Sequence, residues 1–156
     1  MSLEKAKTYL SKFGMENQIM EFDVSSATVA LAAIAVGCEE HEIAKSLSFI
    51  VDEKPILIIV AGDAKVDNAK YKAEFHTKAK MIPFDDVESM IGHAAGGVCP
   101  FGVNDGVKIY LDASLKKCET VYPACGTSNS AIKLTPEELE RITELEKWVD
   151  VCKEVQ

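Results

Sequence analysis

Three short blocks hold the residue types that could do chemistry: Ser25-Ser26-Ala27-Thr28-Val29-Ala30-Leu31-Ala32-Ala33, Glu42-Ile43-Ala44-Lys45-Ser46-Leu47 and Gly96-Gly97-Val98-Cys99-Pro100-Phe101-Gly102. Lys45 is an ammonium set among Ile43, Ala44, Leu47 and Phe49 at the mouth of an apolar strand. It is costly to desolvate unless its stem snorkels or its charge meets an anion. In the third block, Gly96, Gly97 and Gly102 free the backbone while Pro100 stiffens it, so that amide N–H groups could converge on an oxyanion or a phosphate. Together the blocks suggest a pocket that handles an anion or a carbonyl without a metal.

Each feature also has a plainer explanation. Lys45 could be a surface lysine covering a strand edge, and the glycine-rich segment an ordinary connection. The loop lacks the terminal Gly-Lys-[Ser/Thr] of a phosphate-binding P-loop and the Gly-x-Gly-x-x-Gly dinucleotide fingerprint, so neither ATP nor NAD is indicated. Ser26, standing before an Ala-rich run, reads as a helix cap. Cys99 could be a nucleophile with one of His41, His76 or His93 as its base, but spacing assigns none of them. Lys65, Lys70, Lys72, Lys78 and Lys80, with Tyr71 and Phe75 between them, could meet an RNA backbone, although a solvated helix face is the commoner cause of such a run.

The elements that must position these residues come from one domain. The chain has 156 residues, 47% of them hydrophobic, enough for a core without staples. Its formal net charge of -8 argues against indiscriminate binding to DNA or RNA, leaving room only for a local RNA contact. The 5 cysteines are an odd number at wide spacing without Cys-x-x-Cys, which predicts reduced thiols in a cytoplasmic protein and no metal site. No apolar run approaches the roughly 18 residues of a membrane span, and no targeting segment is expected.

Periodicity predicts an amphipathic helix over 3–13 stopped by Gly14, a short strand at Ile19–Phe22, and a largely buried helix from Ala27 to Val36 that ends at Gly37. Ser46–Val51 and Ile56–Ala61 read as an antiparallel hairpin turning at Asp52–Pro55, with the second strand central in the sheet. Helix and loop are expected over 64–80 and a short helix over Asp85–Ile91. Strands are expected at Val107–Leu111 and near Thr120–Tyr122 and Ala131–Leu134. Thr135-Pro136-Glu137-Glu138 reads as a capping box opening a helix with Leu139, Ile142 and Leu145 on one face. The fold class is α/β of the α+β type, with a mixed, mainly antiparallel sheet surrounded by helices.

The run Ser25–Leu47, continued through Ile58-Ile59-Val60-Ala61-Gly62-Asp63-Ala64-Lys65-Val66-Asp67 and resumed at Gly96–Gly102, Tyr110-Leu111-Asp112 and Ala124-Cys125-Gly126, resembles the YbaK/ProX family. The resemblance implies a cofactor-independent deacylase acting in trans on mischarged aminoacyl-tRNA, often tRNA-Pro carrying alanine or cysteine, with prolyl-tRNA synthetase as a possible protein partner. The length leaves no room for a synthetase, so the chain is similar to the free-standing form.

On that resemblance Lys45 takes the family's functional lysine, and Gly96, Gly97 and Pro100 its catalytic loop. Ser26, Thr28, Ser46, Val98, Cys99, Phe101 and Gly126 fall in the expected substrate-binding set. Cysteine-specific relatives carry an aspartate where this chain has Ala131, which weighs against cysteine. The alternatives to a deacylase are a binding module of the same fold for tRNA or a synthetase, and a thiol hydrolase using Cys99.

Overall fold

The computed structural model describes residues 2–153. Five strands form one sheet in the order β5-β2-β3-β4-β7: β2 is Ile43–Val51, β3 Lys54–Ala61, β4 Lys108–Asp112, β5 Tyr122–Pro123 and β7 Leu145–Val149. A two-stranded sheet pairs β1 (Met20–Glu21) with β6 (Ser130–Ala131). The helices are α1 (Ser2–Ser11), α2 (Val29–Val36), α3 (Asn68–Phe75), α4 (Val87–Ile91) and α5 (Pro136–Ile142).

The β2–β3 hairpin is antiparallel, as expected, and its tight turn puts Asp52 and Glu53 at φ of 51° and 66°. Pro55 belongs to β3, opposite Ile50. β3 is the central strand, and Ile56 through Val60 are all buried, consistent with the unbroken apolar run. The sheet is mixed, but more parallel than the hairpin alone suggested: β2–β5, β3–β4 and β4–β7 all pair in parallel.

Alternation along the strands sends side chains to two cores. On one face Leu57, Ile59, Ile109 and Leu111 pack with α1, the glycine loop and α5; on the other Phe49, Ile58 and Val60 pack under α3. Tyr71 and Phe75 lie in that second core: Tyr71 is fully buried, and its ring centroid lies 5.1 Å from Phe49 and 4.7 Å from Phe75. These aromatics are therefore packing and not a nucleic-acid contact. Lys70, from the same segment, pairs with Asp150 at 3.1 Å.

Three expectations are corrected. The cap of α2 is Thr28, whose Oγ1 accepts from the Leu31 N–H at 3.1 Å. The Ser26 hydroxyl instead donates to the Ser128 carbonyl at 3.0 Å, tying this segment to the turn before β6. Nor is α2 largely buried: only Ala32 and Ala33 are, while Ile34 is 77% exposed, because an all-apolar helix carries no amphipathic signal to separate its faces. Finally, α5 opens on the expected Thr135–Glu138 capping box but stops at Ile142. Leu145 begins β7, a short edge strand whose polar Glu146 and Lys147 hid it behind the helical pattern.

Asp112 closes the frame. Its carboxylate accepts from the Ser114 N–H at 2.9 Å and the Val151 N–H at 2.8 Å, fixing the end of β4 against the C-terminal segment. The Tyr110-Leu111-Asp112 motif is thus architectural.

Candidate active site

A pocket of about 370 Å³ opens beside β2, within the range of small-ligand sites. Its walls are the start of α2 (Ser26 to Val29, with Ala32), the first half of β2, the 81–87 segment, the glycine loop at Ala95, Gly96 and Val98, and the stretch carrying Tyr122, Ala124, Ser130 and Ala131. Among the described residues, Lys45 is the single charged one in this lining, which holds no Asp, Glu, His or Cys.

The walls are held by backbone pairing. Antiparallel register places Met20 opposite Ala131 and Glu21 opposite Ser130, and the pairing continues through the Phe22 N–H to the Asn129 carbonyl at 2.8 Å. On the other side the Ile82 N–H donates to the Ser48 carbonyl at 3.1 Å, laying residues 80–82 along β2. The pocket therefore lies between segments distant in sequence.

Lys45 is the third residue of β2 and half-buried; its Nζ donates to the Ala64 carbonyl at 2.7 Å, in the turn after β3. Burial lowers its pKa below the ordinary lysine value, partly offset by Cys152 and Asp63 nearby, while Lys65 adds to the lowering. No hydrogen bond joins Lys45 to the glycine loop; the two meet as walls of one pocket.

The loop divides its labour. Gly96, at φ of 93°, and Val98 line the pocket. Gly97 does not; its N–H donates to the Ala94 carbonyl at 3.0 Å. A Cβ on Gly97 would stand 2.5 Å from the Gly126 carbonyl carbon and from the Thr127 nitrogen, so this glycine is required by close backbone approach. Gly126, at φ of 94°, thus supports the loop from behind. Pro100, Cys99 and Phe101 are buried and also stand behind the wall, not in it.

His93 and Cys99 do meet, at 3.6 Å, in a fully buried cluster. His93 Nε2 lies 2.6 Å from the Phe101 carbonyl, which can only accept, so Nε2 carries the proton and cannot take one from the thiol. Burial pushes the Cys99 thiol up to about 12, opposed by hydrogen bonds from Phe101 and Gly126. The pair closes the loop and does not suit nucleophilic catalysis. If the pocket hydrolyses an ester, Cys99→Ala should leave most of that activity; its loss in a variant that still folds would reinstate the thiol.

Burial also lowers the His93 pKa, with Lys5 adding to the effect and the Phe101 bond opposing it. The unfolded chain then takes up a proton that the folded chain refuses, so stability present above about pH 6.5 is lost as pH falls below it. Denaturant unfolding at about pH 7.5 and 5.5 should show this loss, and His93→Gln should flatten it. An unchanged slope in that variant would place the effect elsewhere.

Sequence reasoning missed Met81, Phe84 and Tyr122 as pocket residues. Only Pro83-Phe84, an aromatic at a turn among polar neighbours, gave a signal.

The chain is 48% identical over 155 residues to the uncharacterized protein YwhH of Bacillus subtilis (strain 168), covering 99% of each. It is 29% identical over 122 residues to a proline–tRNA ligase of Lactiplantibacillus plantarum, of which the match spans 20%. A structure solved as a candidate trans-editing enzyme for prolyl tRNA synthetase superposes with a TM-score of 0.87 at 29% identity, covering 98% of both chains. The aminoacyl-tRNA editing domain family matches residues 24–142. On these grounds the chain belongs to the YbaK/ProX family of aminoacyl-tRNA editing domains.

Proposed function

We propose that this protein hydrolyses the ester linking a small amino acid, such as alanine, to tRNA-Pro, acting in trans and without a cofactor. The observation that carries the reading is one pocket walled by Lys45 and by the Gly96 and Val98 segment, in a chain of the editing family.

Water attacks the ester carbonyl carbon, the tetrahedral oxyanion collapses, and the ribose oxygen leaves with a proton. The Gly96 and Val98 amides are suited to the oxyanion, and Lys45 to the terminal phosphate or the ester oxygen. Since the lining offers no carboxylate, imidazole or thiol, the neighbouring ribose hydroxyl is the group left to activate the water. Rate comes from holding water and ester together in place of a side-chain base.

Selection is steric. Val29, Ala32, Ile43 and Ala131 give the pocket an apolar wall, and the family resemblance puts an aspartate at the Ala131 position in cysteine-specific members. Size exclusion of one methylene yields only about 1–3 kcal/mol, so the protein should favour small amino acids without absolute discrimination. Prolyl-tRNA synthetase fits as a partner that supplies RNA affinity to a chain of net charge -8.

The test is release of labelled amino acid from Ala-, Cys-, Ser- and Pro-tRNA-Pro. Alanine should leave fastest and proline slowest. Retained RNA or synthetase binding with no release from any substrate would favour the non-catalytic module.

A further inference from the structure

Two large apolar side chains at the pocket mouth face solvent: Phe84 is 78% exposed and Met81 57%. Their neighbours Ile82 and Val87 are each 5% exposed and anchor the segment on both sides. Residues 80–82 are also hydrogen-bonded along β2, and Pro83 leads directly into the 3-10 turn that carries Phe84. The ring is therefore held out on a braced backbone. Leaving it uncovered forfeits burial energy, and its place at the pocket mouth makes it a surface a bound ligand can cover.

We propose that Phe84, with Met81 beside it, is a stacking shelf for the purine of the 3′-terminal adenosine whose ribose carries the aminoacyl ester. The inference rests on the deacylase reading and adds a binding group outside the amino-acid pocket. The shelf is continuous with that pocket, so a ligand whose ester lies between Lys45 and Gly96 extends its nucleoside toward the mouth. Asp85, Asp86 and Glu88 follow Phe84 and are exposed, which disfavours a phosphate here and suits a neutral planar base. Aromatic rings hold bases through their π-faces, and a thioether packs well on a ring edge.

The test compares charged tRNA with the same tRNA ending in an abasic nucleotide. Phe84→Ala should lower kcat/KM on the normal substrate about tenfold, mainly through KM, as expected for losing one stacked base. It should leave the abasic substrate almost unaffected, and Phe84→Tyr should restore binding where Phe84→Leu does not. Equal losses on both substrates, no loss on either, or rescue by Phe84→Leu would overturn the shelf while leaving deacylation intact.

A second measurement is independent of catalysis. Phe84→Trp fluorescence, referenced to the wild type with its single Trp148, is titrated with an uncharged RNA minihelix ending in CCA and with one lacking the final adenosine. Quenching by the first alone supports the shelf. Equal quenching, or none, contradicts it whatever the deacylation assay gives.

Discussion

Replacing Lys45 by alanine is expected to lower deacylation kcat/KM about a hundredfold, the scale of losing one stabilising group in a water-poor site. The fold should persist, because Lys45 is only half-buried and its one hydrogen bond is to a turn carbonyl. Its aliphatic stem follows β2 on the same face as Leu47 and Phe49, so some loss could come from packing. Lys45→Met separates the two contributions by keeping the stem and removing the charge. The same hundredfold loss in Lys45→Met, with an unchanged melting temperature, assigns the effect to the ammonium. Wild-type turnover in either variant would remove Lys45 from the reaction.

The ammonium does not sit idle in the free protein. Its bond to Ala64 at 2.7 Å holds the charge at the turn after β3, and burial disfavours its protonated form. A substrate phosphate or ester oxygen is a better partner than a neutral carbonyl, since hydrogen bonds between charged groups are roughly twice as strong. On the proposed reading, binding would exchange the Ala64 bond for one to substrate.

Gly97→Ala is the second large effect, and it acts through the scaffold. The added methyl would meet the Gly126–Thr127 backbone at 2.5 Å, where no flexible side chain can give way. The expected cost is about 2–3 kcal/mol by overpacking, read as a melting temperature lower by roughly 5–10 °C. Activity should fall with it, because the displaced loop carries Gly96 and Val98 away from the pocket. A variant with unchanged melting temperature and rate would show that the loop and the Gly126 turn do not depend on this contact.

The comparison of Gly96 with Gly97 shows what was legible in the chain. The glycine-rich block pointed to a loop with special backbone demands, but the reasons differ between neighbours. Gly96 needs a positive φ, a local property consistent with its type. Gly97 needs an absent side chain because residues 126–127 press on it, and nothing local announces a contact across nearly thirty positions. Cys99 carries the same lesson in reverse. Spacing assigned Cys99 no histidine partner, yet it meets His93, and burial and the Phe101 carbonyl give both groups a structural task.

Strong local patterns read through clearly: the β2–β3 hairpin, the central β3, the Thr135 capping box and the Gly37 stop of α2. Ser26 and Thr28 were separable only in three dimensions, since both types cap helices and the pairing to Ser128 decides which one does. Leu145 was drawn into the helix because i, i+3 spacing continues past Ile142, whereas parallel pairing with Ile109 claims it for the sheet. Tyr71 and Phe75 made an RNA contact one reading of the lysine-rich segment, beside the commoner one of a solvated helix face. The helix turns both rings inward.

The most direct measurement is the time course of alanine release from Ala-tRNA-Pro with substrate in large excess over the purified protein. Release of many equivalents of alanine per protein molecule, with Pro-tRNA-Pro left largely charged, is the predicted result. Alanine leaving no faster than from substrate alone, or proline released as fast as alanine, would contradict an editing deacylase built on this pocket.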